Sequence, residues 1–462
     1  MADLIRMLGF TSRALEAQRF GLDVVGQNIA NVNTPGYTRR VVDLAAVPPV
    51  EPMSAGGGVE VLGVRSLRDL LIDRRLWQEK PAEQRGQAMS NALGLVETSL
   101  GSPGSSIDGA LNDFFDAFAG LADAPTSSNA RQEVILQGES LAASFREMAG
   151  RFEAALRDTD ARVRGAVQDI NQVTASIASL NRALSGVDPG SGESLQIHDE
   201  LAAAVQQLSG LAQINAVQRG DGGFDIELVN GGSLVIGDQA YALGTTDRAV
   251  TGVAEVTLGG ATITGRLRSG TLGGLIEARD TLIPGYQSQL DSLAYSVAQE
   301  VNAVHRQGYD ANGAQGGDFF APLSSASGAA RAISVNAGLS AAGGTSLVAA
   351  SATGAAGDNG NARALAALRD ARVMDGNTAT FGQAWEQLVY DVGSDSAGAQ
   401  AAYETHSEIV AQIQNLQDGV SGISLDEEAA DMLRFQRAYE ANARFFRTVN
   451  DTLDILFKAF GA

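Results

Sequence analysis

LDEEAADMLRFQRAYEANARFFRTVNDTLDILFKAF, residues 425–460, places side chains of one kind at alternate fourth and third steps. Counted from Leu425, the steps fall on Ala429, Met432, Gln436, Tyr439, Ala443, Phe446, Asn450, Leu453, Phe457 and Phe460. This is an a/d heptad seam of about five repeats, the pattern by which helices pack side by side. A second stripe, Phe435, Ala438, Phe445, Val449, Leu456 and Ala459, runs beside it. One partner helix covers only the first stripe, so a face this wide expects several neighbours.

The beginning of the chain repeats the device. Leu4, Leu8, Thr11, Leu15, Gln18, Leu22, Val25 and Ile29 step 4-3-4-3-4-3-4. The economical reading is that the two terminal helices pair with each other and then pack against other copies. Composition narrows the alternatives. The chain has 462 residues, 33 basic against 54 acidic, and a formal charge of −21, which repels nucleic acid and anionic membranes. Nothing approaches eighteen apolar residues in a row, so no membrane insertion is expected. The first residues, Met1-Ala2-Asp3-Leu4-Ile5-Arg6, do not read as a secretory signal peptide. Cysteine is absent, which excludes disulfides, thiolate nucleophiles and cysteine-ligated zinc.

Between the ends the pattern changes several times. Asn28-Ile29-Ala30-Asn31-Val32-Asn33-Thr34-Pro35-Gly36-Tyr37 stops the first helix with asparagines and a Pro-Gly turn. Extended chain follows to about Val64, broken by Pro48-Pro49, Pro52 and Gly56-Gly57-Gly58. Helix is predicted from Arg65 to Leu100, with Pro81 as a kink. A short helix covers Ile107 to Leu121, and a run from Ala130 to Leu184 follows the caps in Pro125-Thr126-Ser127-Ser128-Asn129. About 55 residues at 1.5 Å each reach about 80 Å, which predicts a rod unless Gly165 folds it back. Another helix covers Leu195 to Leu208. The period then becomes two: Phe224, Ile226 and Leu228 are answered across Asn230-Gly231-Gly232 by Leu234-Val235-Ile236, a hairpin signature. Further strands are expected from Val253 to Leu267. Helix returns from Leu272 to His305, and at 361–374, 380–392 and 396–420.

The predicted fold is therefore mainly α, elongated, with a small inserted β module. Residues 1–64 plus 425–462 form a coiled-coil-like terminal inner domain, and 65–210 plus 271–424 a helical rod. Residues 211–270 form an outer β domain, and 308–360, rich in Gly, Ala and Ser, a loop region with little core of its own.

Chemistry finds no foothold. His198, His305 and His406 are far apart and read as partly exposed surface residues. Asp310-Ala311-Asn312-Gly313 resembles the start of a calcium loop, but its glycine arrives two places early, so it reads as a turn held by Asp and Asn side chains. Asp426-Glu427-Glu428 opens a helix, where carboxylates offset the macrodipole. Neither lysine follows a glycine-rich phosphate loop, and no Gly-x-Ser-x-Gly elbow is present. No cofactor, metal or catalytic residue is expected.

Two segments carry a family resemblance. Asn28-Ile29-Ala30-Asn31 through Pro35-Gly36-Tyr37 resembles the N-terminal signature of bacterial flagellar rod, hook and hook-associated proteins. Phe435-Gln436-Arg437-Ala438-Tyr439-Glu440-Ala441-Asn442-Ala443-Arg444 resembles the matching C-terminal signature. Pro125 through Ala130-Arg131-Gln132, Gly270-Thr271-Leu272-Gly273-Gly274-Leu275, Asn302-Ala303-Val304-His305 and Asp318-Phe319-Phe320 resemble the hook-associated protein 1 family of the hook–filament junction. One departure is Gln196-Ile197-His198-Asp199-Glu200-Leu201, read as a changed surface contact. The other is a Gly/Ala-rich stub near 321–380 where many relatives carry an outer domain.

The resemblance implies a structural, extracellular part of the flagellum that joins hook to filament and is exported by the flagellar type III route. It implies a ring of about eleven copies between hook protein and the next hook-associated junction protein, and an export chaperone that masks the C-terminal helix. The assembly surface it implies comprises Leu4, Leu8, Leu15, Leu22, Val25, Ile29, Asn28, Asn31, Pro35, Gly36 and Tyr37. On the C-terminal helix, shared with the chaperone, it comprises Leu425, Met432, Phe435, Gln436, Tyr439, Asn442, Phe445, Phe446, Val449, Leu453, Leu456, Phe457 and Phe460. A hook or distal rod protein is the alternative, which the helical section 108–210 disfavours. A flagellum-associated peptidoglycan hydrolase is a remote one, for which no carboxylate is a candidate.

Overall fold

In the computed structural model, which describes residues 2–48, 57–101, 106–249 and 251–460, one helix is longer than any other element. The described chain begins with α1 (Ala2–Ala30), β1 (Arg40–Ala46), β2 (Val59–Ser66), α2 (Leu70–Leu100), α3 (Ile107–Asp123), α4 (Ser128–Leu184) and α5 (Gly192–Leu211). α4 has 57 residues and spans about 85 Å at 1.5 Å per residue. Ser127 caps it by accepting from the Ala130 N–H, and Gly165 does not interrupt it.

Seven strands follow: β3 (Ile214–Gln218), β4 (Phe224–Leu228), β5 (Ser233–Ile236), β6 (Gln239–Ala240), β7 (Leu243–Asp247), β8 (Ala254–Leu258) and β9 (Ala261–Thr262). They form antiparallel sheets of order β3-β4-β5-β6 and β7-β8-β9. Asn230, at φ 63°, makes the turn predicted between β4 and β5. Helices α6 (Gly270–Glu277), α7 (Ile283–His305), α8 (Ala329–Ala332), α9 (Ala337–Ser340), α10 (Gly360–Ala367), α11 (Phe381–Ser421) and α12 (Leu425–Phe460) complete the described chain.

Two cores lie along α4. Its first half, Val134 to Ala155, packs with α3, α7, α11 and the end of α2. Its second half, Val163 to Leu184, packs with α5, α6 and the inner faces of both sheets. The β module thus shares its core with the far half of the long helix. The terminal helices contribute to neither core. The fold is mainly α and elongated, with small sheets, as the periodicities predict.

Several boundaries differ from the sequence reading. Arg65 and Ser66 of β2 pair with Val41 and Arg40 of β1, so α2 starts at Leu70, behind the Asp69 cap, and continues through Pro81. The helices expected at 380–392 and 396–420 are one, α11, whose first turns pack on α3 and α7 and whose remainder, from Ser396 to Gln417, lies along α2. Ser396 reaches Glu97, Tyr403 sits against Gly86, and Gln417 reaches Asp73. Between α6 and α7, residues Ala278–Leu282 form a π turn around Arg279. That fully buried guanidinium bonds Asp160 at 2.8 Å and Asp280 at 2.8 and 3.0 Å.

The segment 308–360 is mostly irregular, with short helical turns, and it packs into the core of the rod. Phe319, Phe320, Ala330, Ile333 and Val348 are fully buried against α3, α4 and α7. Small residues let this segment pass close to the helices: a Cβ on Gly316 would come within 2.4 Å of the His305 carbonyl oxygen. The Asp310 turn forms as expected, its carboxylate accepting from the N–H groups of Asn312 and Ala314. Pro49, Pro52 and Gly56 lie outside the described residues.

Candidate assembly interface

α1 and α12 pack side by side, and the fit is made by small residues on α1. Ala17, Gly21, Val24 and Asn28 are buried at steps of four, three and four. The Phe435 ring lies where a Gly21 side chain would be, 2.5 Å from an ideal Cβ. Phe10 and Phe445 meet with ring centroids 5.9 Å apart. On α12 the covered line is Glu428, Phe435, Ala438, Asn442, Phe446, Val449, Leu453 and Leu456. It contains most of the stripe expected to lie beside the seam.

Of the seam counted from Leu425, only Leu453 is buried, and Met432, Ala443 and Phe446 are half-buried. Leu425, Gln436, Tyr439 and Phe457 are exposed, as is Phe445 from the second stripe. Phe460 ends the helix and its side chain is outside the described residues. On α1, Val25 is buried, while Leu4, Leu8, Leu15, Leu22 and Ile29 are half-buried. A partner helix therefore covers the stripe that includes Phe435, and an apolar flank stays open. Ile455, 67% exposed, and Leu433, 53% exposed, extend the uncovered apolar surface of α12.

A polar node closes the base of this pair. Asn28 is buried and makes all four of its side-chain hydrogen bonds. Its Nδ2 donates to the Arg40 carbonyl and to Glu428 Oε2, and its Oδ1 accepts from the Arg40 N–H and the Tyr37 hydroxyl. Burial pushes the Tyr37 hydroxyl pKa up, which keeps it a donor. Asn31 and Tyr37 are half-buried, and Pro35 and Gly36 form the exposed turn. Arg39 Nε donates to Glu428 at 2.6 Å and its Nη1 to Glu427 at 2.7 Å, while its backbone N–H donates to the Ser421 carbonyl.

The node continues into the rod. Asp199 of α5 accepts from Thr38 Oγ1 at 2.7 Å and pairs with Arg40 and Arg68. Arg68 also donates to the His198 carbonyl and lies 3.4 Å from Asp73, whose carboxyl burial pushes up. One sequence reading is corrected here. Glu428 is 1% exposed and holds Asn28 and Arg39, so it does more than offset a helix dipole. Within Gln196–Leu201, Gln196 and Glu200 are at the surface, while Asp199 is buried in the node.

Sequence reasoning missed Thr38, Arg39, Arg40, Asp199 and Glu428. The available signal was a pair of adjacent arginines in an extended segment of a strongly acidic chain. His305 also departs from the reading, being buried against Phe319 and not at the surface. Among the described residues no three His, Asp or Glu side chains converge to hold a metal ion. No described helix is long and apolar enough to cross a membrane.

Comparisons with known proteins fall on these same elements. Residues 93–320 match the family "Flagellar hook-associated protein FlgK helical domain". Residues 8–38, mostly α1 and its signature, match "Flagella basal body rod protein", and 419–458, mostly α12, match "Flagellar basal body rod FlgEFG protein C-terminal". Flagellar hook-associated protein 1 of Bacillus subtilis is 27% identical over 97% of both chains. That of Escherichia coli is 27% identical over 96% of this chain and 97% of its own. The solved structure of the flagellar hook junction protein FlgK from Burkholderia pseudomallei matches in fold with a TM-score of 0.65. It does so at 18% identity, covering 75% of this chain and all of that one.

Proposed function

We propose, since the chain belongs to the family of flagellar hook-associated protein 1, that it is the piece joining hook to filament at the outer end of the hook. It is a structural flagellar component and not an enzyme. In this reading α1 and α12 of neighbouring copies close into a tube, with hook protein below and the next hook-associated protein above. A closed ring of about eleven copies satisfies every open flank with the same heterologous contact. A dedicated export chaperone covers α12 until then, because a bare apolar flank invites unspecific association.

The observation that carries the reading is the open flank: Leu425, Tyr439, Phe445 and Phe457 remain exposed on a helix whose other face is already used by α1. The helical section matched over 93–320 favours a junction protein over a hook or distal rod protein. The test is a pair of charged substitutions on that flank, Tyr439→Glu with Phe457→Glu. The isolated chain is expected to keep its melting temperature, while self-association and filament growth in a strain lacking the wild-type protein are lost. Normal filaments from the double variant would defeat the proposal.

A further inference from the structure

His305 ends α7 and is buried, and both of its ring nitrogens are engaged by one stretch of chain. Nδ1 lies 2.7 Å from the Gly317 carbonyl oxygen, and Nε2 accepts the Ala349 N–H at 2.9 Å. An N–H group can be met only by an unprotonated nitrogen, so the geometry fixes the neutral ring with its proton on Nδ1. Between these two contacts the chain folds over a phenylalanine cluster. Phe319 and Phe320 lie 5.4 and 5.6 Å from Phe114 between ring centroids, and Phe319 meets the His305 ring edge-on.

The charged groups around the ring give a second proton little welcome. Arg131 of α4 is buried and donates to the carbonyls of Val348 and Pro125, with no carboxylate among the described residues bonded to it. Asp310 is occupied by the turn amides of Asn312 and Ala314. Asp318 is paired with Arg306 at 3.0 Å. Burial holds the His305 pKa below the ordinary histidine range; the Gly317 carbonyl, Asp318 and Asp310 pull it up, and Arg131 pushes it down.

We propose that His305 is an acid-operated latch: its protonation sets two N–H donors against each other at Ala349, frees the segment 309–351 from the end of α7 and uncovers the phenylalanine cluster. A depressed folded pKa means the latch is fully closed above the ordinary histidine value. As pH falls below about 6.5, opening takes up one proton, and the open-to-closed ratio rises about tenfold per pH unit until the folded pKa is reached.

Amide hydrogen exchange on the full chain at pH 7.5 and pH 5.5 tests this. After correction for intrinsic exchange, protection at Ala349 is expected to fall between the two, by up to about tenfold, while the α4 core amides of Val163 to Ile177 hold. His305→Gln offers the same acceptor and donor without titrating, so its Ala349 protection is expected to be flat over that range. A flat wild type, or the same slope in His305→Gln, overturns the proposal. Should the variant not fold, the imidazole nitrogen shifts of wild-type His305 decide. A neutral ring at pH 7.5 that charges together with loss of Ala349 protection supports the latch. A ring that charges with Ala349 still protected refutes it.

Discussion

Replacing Glu428 by alanine tests whether the node below the terminal helices holds them to the rod. The carboxylate accepts from Asn28 Nδ2 at 3.0 Å and from Arg39 Nε at 2.6 Å. Removing it leaves Asn28 with a donor short of one partner, and Arg39, whose side chain is only 16% exposed, with Glu427 and Asp431. Breaking a fully buried pair costs about 3–5 kcal/mol, and a charge-assisted hydrogen bond is worth about 1.5–3 kcal/mol. Because Arg39 keeps two other carboxylates, the lower part of this range applies, about 2–3 kcal/mol. That corresponds to a rise of roughly 30- to 150-fold in the opening of the terminal unit. Hydrogen exchange at the Arg39 and Arg40 amides reads it directly, since these donate to Ser421 and Asn28. Glu427→Ala is the control: its side chain is 64% exposed, so its pair with Arg39 is worth less than about 1 kcal/mol. Exchange unchanged within about threefold in Glu428→Ala, or equal loss in both variants, would refute the argument.

Gly21→Ala puts a methyl group into the Phe435 ring, so the terminal helices are expected to shift apart at a cost of about 1–3 kcal/mol. Slower exchange or unchanged Phe435 ring shifts in the variant would show that the close fit does not matter. Asp160→Asn leaves fully buried Arg279 with Asp280 as its remaining carboxylate among the described residues and is expected to cost about 2–4 kcal/mol at pH 7, read by thermal unfolding. Burial raises the Asp160 pKa, but the Ala254 N–H, Arg164 and Arg279 outweigh it and hold it below the ordinary range. Its stabilisation is therefore present above about pH 4 and lost as pH falls through the folded value, so the cost of Asp160→Asn should shrink in acid. A cost that stays constant from pH 7 to pH 3 would count against this linkage.

What the sequence disclosed was whatever depends on local period. α1, α4 and α12, and the hairpin turning at Asn230, need only neighbours a few residues away, and they stand where the patterns place them. The choice of seam was hidden because it rests on absent bulk: Ala17 and Gly21 score as weak positions, yet the missing side chain at 21 is what admits Phe435. Glu428 was hidden because its partners Asn28 and Arg39 are some 400 and 389 positions away, so a first-turn carboxylate looks like dipole compensation. The segment 308–360 looked like loop because Gly, Ala and Ser imply little burial. The same small residues let backbone carbonyls and amides reach Arg131, Asn302 and His305 on the helices. Composition reports how much side chain there is, and the packing here uses how little.

The terminal unit differs in kind from the rod. α4 is buried along two successive cores, so each half of it is held by many apolar side chains. The two terminal helices have 29 and 36 residues, yet among the described residues their buried apolar side chains are Ala17, Val24, Val25, Val449 and Leu453. Ordering helices of that length costs backbone and side-chain entropy that so little burial does not offset. The Asn28–Glu428–Arg39 node holds the base of the pair, and Val449 and Leu453 are buried beyond the contact of Phe10 with Phe445. Between and around these points the pair gains stability where further apolar surface arrives. In the proposed assembly the open flank bearing Tyr439 and Phe457 receives that surface, and assembly and completion of folding are then one event for this part of the chain.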